Sequence, residues 1–153
     1  MSRFGMALAM ALGVALQAQS VTNFSGTWEF NPARSRNIGM MAELQDTVTV
    51  EQTSSHITIT DHSTLRGQAS TREVRFDLAG KATSNAGPMG DQNETVATWQ
   101  DGKLVVTWTA DGAVAGTKVV RTETRSLSCD GKTMTVESVR GNTPPLVMVF
   151  EKK

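Results

Sequence analysis

His56 and His62 are the only two imidazoles in the 153-residue chain, and imidazole is the side chain most suited to metal ligation and proton transfer near neutral pH. On one regular strand the pair would stand about 20 Å apart, at roughly 3.3 Å per residue. Two ligands of one zinc each sit about 2 Å from the metal, so a shared site is excluded. Their parity is also opposite to that of Ile57 and Ile59, which turns both rings to solvent. Cys129 is the single cysteine, so it forms no intrachain disulfide, and no histidine lies near it in sequence to activate a thiolate. The sequence contains no Gly-x-Ser-x-Gly elbow and no glycine-rich phosphate loop ahead of a helix. These patterns predict a protein that is not an enzyme and holds no metal or other cofactor.

The most unusual run is Thr117 to Ser128. Arg121, Glu123 and Arg125 share one face of it, while Thr122, Thr124 and Ser126 share the other. The expectation is that the charges point to water. Thr122 and Thr124 then line the interior, and a hydroxyl wall there implies water or a polar ligand. The alternative turns the charges inward, where Arg121 and Arg125 would form an anion site beside Glu123, since buried charge demands pairing.

These residues are positioned by short runs in which apolar residues recur at every second place, separated by Gly, Asp, Asn and Pro. Nine strands are predicted: 24–30, 46–52, 56–61, 71–78, 94–100, 103–110, 117–128, 132–139 and 146–152. Asp101-Gly102, Asp111-Gly112 and Asp130-Gly131 sit where tight hairpin turns need positive φ. Neighbouring strands should therefore pair antiparallel in chain order. Alternation assigns Val48 and Val50, Ile57 and Ile59, Val74, Phe76 and Leu78, Leu104, Val106 and Trp108, and Met134 and Val136 to the core. Closing such a meander removes its open edges, so an all-β, up-and-down antiparallel barrel of about 8–10 strands is expected, with a two-sheet sandwich as the alternative. Residues 31–45 open on Asn31-Pro32, a helix start, and could form a lid. Residues 79–93 read as a surface loop.

Lys plus Arg equals Asp plus Glu, at 15 each, so no basic field is available for nucleic acid. The length fits one domain with a real core. Residues 1–20 follow a signal-peptide layout: Arg3, an apolar run from Met6 to Leu16, then Gln17 to Ser20 with small residues at 18 and 20. That run is too short to span a bilayer, which needs about 20 residues. Residues 21–153 form the expected mature domain, a monomer without a membrane-spanning segment, secreted or periplasmic.

Phe24-Ser25-Gly26-Thr27-Trp28 opens the first strand, and this Gly-x-Trp signature resembles that of lipocalins and fatty-acid-binding proteins, the calycins. The run from Asn23 to Ser35, with Phe150-Glu151-Lys152, is similar to secreted bacterial lipocalin-like proteins. The resemblance implies that Trp28 plugs one barrel end and that Gly26 allows close chain approach beside it. Fatty-acid-binding proteins usually end on Arg-x-Tyr, which holds the ligand carboxylate; Met148-Val149-Phe150 stands here instead, so headgroup selectivity should be poor. The function implied is binding of a small, largely apolar molecule against Val48, Ile59, Phe76, Val106, Trp108, Thr122, Thr124, Val136, Met148 and Phe150. The alternative is a protein-interaction module, such as a secreted peptidase inhibitor or an envelope-associated factor, with a filled barrel.

Overall fold

A computed structural model describes residues 21–153. The segment read as a signal peptide lies outside those residues. Ten strands follow one another: β1 Gly26–Phe30, β2 Gln45–Gln52, β3 His56–Leu65, β4 Gln68–Asp77, β5 Thr83–Ala86, β6 Gln92–Gln100, β7 Lys103–Asp111, β8 Lys118–Leu127, β9 Thr133–Arg140 and β10 Leu146–Lys152. The spatial order is β4-β3-β2-β1-β10-β9-β8-β7-β6-β5, every neighbour antiparallel. Sequence neighbours thus pair everywhere except between β4 and β5, and β10 joins back to β1 through Trp28 opposite Lys152 and Phe30 opposite Phe150.

The two ends of this order, β4 and β5, meet without a backbone ladder, and side chains close the seam. The Asn85 amide imitates a peptide unit: its Oδ1 accepts from Arg75 N at 2.8 Å and its Nδ2 donates to Arg75 O at 2.9 Å. The same Nδ2 donates to Thr95 Oγ1 at 2.7 Å, and Thr83 Oγ1 donates to Arg75 O at 3.0 Å. A buried amide so bonded avoids the cost of unpaired polar groups at a sheet edge.

One barrel end is apolar and shut. Trp28 is fully enclosed, donating from Nε1 to Phe24 O at 3.0 Å, and Phe24 stacks on Trp99 with centroids 6.2 Å apart. Gly26 has φ +139, a backbone conformation that a residue with a Cβ adopts only under strain, so this position needs glycine. Ile57, Ile59, Phe76, Leu104, Val106 and Met134 fill the space above, each without exposed surface. Phe76 of β4 meets Trp108 of β7 edge to face at 5.6 Å across the interior.

The strand count differs from expectation by β5, a four-residue strand inside the segment read as a loop. Thr83-Ser84-Asn85-Ala86 has no apolar alternation because its inward positions serve the seam by hydrogen bonding. Residues 31–44 carry two short 3-10 turns, Pro32–Arg34 and Gly39–Glu43, with Asn31 capping the first. Of the three Asp-Gly pairs, Asp101-Gly102 alone has positive φ at both residues, 50° and 75°. Asp111 is the last residue of β7, and a wider turn follows it. The second hairpin of this kind is Arg66-Gly67, at 50° and 79°. Its Leu65 and Gln68 flanks pair directly, which extends β3 and β4 past their expected ends.

Candidate binding site

Above the apolar floor the inward column of each strand changes character. On β2, Asp46 shares the face of Val48 and Val50; on β3, Asp61 shares that of Ile57 and Ile59; on β4, Arg72 shares that of Val74 and Phe76. On β8, Glu123 and Arg125 are inward at 6% and 8% exposure. Three guanidiniums and three carboxylates therefore meet inside the barrel. Arg72 donates from Nη2 and Nε to Asp61 Oδ2, at 2.9 and 3.2 Å. Arg125 Nη2 donates to Glu123 Oε1 at 2.6 Å, and Arg121 Nη1 lies 3.9 Å from the other oxygen of Glu123.

Asp46 is the carboxylate of this group without an ion pair among the described residues. Its Oδ1 is buried and has no hydrogen-bond partner; the same is true of Arg72 Nη1, Arg125 Nε and Trp108 Nε1. Burial pushes the Asp46 carboxyl up to about 7, reinforced by Asp61 and opposed by Arg72 and Arg125. Burial likewise lowers the Arg121 guanidinium, with Glu123 opposing that shift.

The cluster opens toward the end that bears connections 31–44, 66–67, 87–91, 112–117 and 141–145. A cleft of about 280 Å³ lies there, with Trp108 and Arg121 in its wall together with Pro88, Met89, Val119 and Arg140. The Arg121 guanidinium lies over the Trp108 ring, 4.6 Å from its centroid. Arg140 stands directly cross-strand from Arg121 and has no ion pair among the described residues. The cleft therefore sets the guanidiniums of Arg121 and Arg140 beside the carboxylates of Asp91 and Asp111, the latter paired with Lys118.

The residues singled out from the sequence fall into three groups. Val48, Ile59, Phe76, Val106, Trp108, Val136 and Phe150 are inside and buried, and Met148 packs against them. Gly26 and Trp28 sit at the closed end. Thr122 and Thr124 lie on the outer face, the reverse of expectation, because Glu123 and Arg125 take the inward places opposite Val106 and Leu104. Ion pairing along the strand makes this inward arrangement tolerable. His56 and His62 do point away from the core, toward Thr53, Ser55 and Thr71. Asp46, Asp61 and Arg72 were not singled out, although each shares the parity of two apolar neighbours, a signal that was present.

No protein-family model matches the sequence, and no curated protein matches it significantly. Solved structures do match in fold. Apo lipid binding protein 8 of Caenorhabditis elegans superposes with a TM-score of 0.68 at 14% identity, covering 88% of this chain and 99% of that one. Human cRBP IV gives 0.65 at 18% identity, covering 86% and 99%. A protein described as the REP1-NXSQ fatty acid transporter gives 0.65 at 12% identity, covering 84% and 95%. The chain is a nearly closed, ten-stranded antiparallel up-and-down barrel, the fold it shares with these structures. Its interior holds the set of Asp46, Asp61, Arg72, Arg121, Glu123 and Arg125.

Proposed function

We propose that this barrel binds a small, largely apolar molecule bearing one acidic group, without catalysis. The observation that carries the reading is Arg121 lying on Trp108 in the wall of the open cleft. The apolar part of a ligand would cover Val119, Pro88 and Met89, gaining roughly 25 cal/mol per Å² removed from water, less the cost of ordering it. Its acidic group would meet Arg121 and Arg140 through charge-assisted hydrogen bonds. The names of two structural neighbours, a lipid binding protein and a fatty acid transporter, support an apolar ligand.

Competition against an environment-sensitive fluorescent probe tests this. At about pH 6, decanoate should displace the probe at least tenfold more effectively than decanol, a difference of about 1.4 kcal/mol. Equal displacement removes the acidic group from the reading, and no displacement by either removes the ligand.

The same reading places the protein outside the cytoplasm, supported by the layout of residues 1–20. Intact-mass measurement of exported protein should find the N-terminus at or near Val21. An uncleaved Met1 form retained in the cytoplasm overturns it.

A protein-interaction module is the second reading. It is favoured by the filled lower barrel and by exposed Met40, Met89 and Val114 on connections at the open end. The displacement titration separates the two, since a module of that kind displaces no probe.

A further inference from the structure

Inside the barrel the charges come out even only when Asp46 is ionised. Asp61 takes Arg72, and Glu123 takes Arg125 with Arg121 at longer range. That leaves two carboxylates against three guanidiniums, with Asp46 as the third carboxylate and without an ion pair of its own. Its free Oδ1 and the free donors Arg72 Nη1 and Arg125 Nε are all buried and point to an unfilled hydrogen-bonding demand in the same interior.

From these placements we infer that Asp46 sets the charge of the ligand: the barrel takes up an organic anion together with one proton, which Asp46 holds. This rests on the binding role proposed above and names its specificity-determining residue. With the proton on Asp46, the cluster carries one surplus positive charge that a ligand anion neutralises. Without it, the anion faces a second buried negative charge in a medium of low dielectric, where like charges repel strongly.

The groups facing Asp46 support this assignment from each side. β3 presents Asp61, and Ser63 directly cross-strand; β4 presents Arg72; β8 presents Arg125 and Glu123, with Arg121 toward the mouth. β1 turns Trp28 and Phe30 inward and keeps Glu29 outside. Lys152 lies at the closed end over Trp28. Asp61 is held by two donors from Arg72, and Glu123 by Arg125, whereas Asp46 has no such partner among the described residues. The position of its carboxyl, pushed up to about 7, puts the proton exchange near neutrality.

The test uses n-decanesulfonate, whose charge is fixed at every pH employed, and n-decanol as its neutral counterpart. Titration from about pH 6 to about pH 8.5 should weaken sulfonate binding to the native protein by at least tenfold, following proton linkage. Decanol affinity should change less than about twofold over the same range, and Asp46→Asn should bind sulfonate equally well throughout. A second measurement needs no variant: calorimetry at pH 7 in buffers of different ionisation enthalpy should show uptake of about half a proton per sulfonate bound. Sulfonate affinity independent of pH, an unchanged slope in Asp46→Asn, or no proton uptake overturns the role of Asp46. If decanol binds in such a case, the binding role itself stands; if neither probe binds at any pH, both fall.

Discussion

Arg125 and Glu123, two residues apart on β8, form an ion pair of 2.6 Å with both side chains more than nine-tenths enclosed in the barrel. The i, i+2 spacing of a strand puts both on the same face, so the partner comes from the chain's own neighbour and not from across the sheet. Taking each ion out of water costs several kcal/mol, which pairing offsets only if neither partner is left alone. That asymmetry governs what substitution should do.

Glu123→Gln keeps the shape but leaves Arg125 and Arg121 uncompensated. We expect a loss of about 3–5 kcal/mol in urea denaturation. The double variant Glu123→Gln/Arg125→Met should lose clearly less than the sum of the singles. Additive losses would mean that the pair does not act as a unit.

Trp28 closes the barrel end and is fully enclosed, with its indole N–H satisfied by Phe24 O. Trp28→Ala should cost about 3–5 kcal/mol through lost burial and the cavity left behind. A change within about 0.5 kcal/mol, measured by the same denaturation, would contradict a plugging role.

Asn85 closes the seam between β4 and β5 with a side-chain amide. Asn85→Ala leaves the Arg75 N–H without its partner and its C=O with Thr83 Oγ1 alone, at about 1–3 kcal/mol. Hydrogen exchange should localise the effect: the Arg75 amide should exchange faster, while amides of β1 and β10 change only as global stability changes.

Asp46 also makes stability depend on pH. Its folded-state carboxyl holds a proton up to about 7, whereas an unfolded Asp releases it near 3.9. Between those values the folded chain binds more protons, so this group's contribution is fully present below about pH 4 and is lost as pH rises to about 7. The loss should be on the order of 2 kcal/mol, allowing for screening near the open end. Asp46→Asn should remove that slope when denaturation midpoints of the two proteins are compared across the range. Parallel slopes would place Asp46 in contact with water.

Alternation with period two, read from Val48, Ile57, Ile59, Phe76, Leu104, Val106, Trp108, Met134 and Val136, determined the strands and their buried faces, because a face that packs must be apolar at every second residue. The antiparallel order followed from short connections, and Gly26 with Trp28 marked the closed end. The sequence could not decide the β8 face, since Arg121, Glu123 and Arg125 alternate with hydroxyls and neither side is apolar. Only closure of the sheet brings β2, β3, β4 and β8 around one interior. There the carboxylates of Asp61 and Glu123 balance guanidiniums brought in by Arg72 and Arg125, and pairing makes inward charge tolerable. β5 was decided in the same way: Asn85 becomes a strand residue because the seam supplies Arg75 as its partner, a demand set by residues ten positions away and not by its own neighbours.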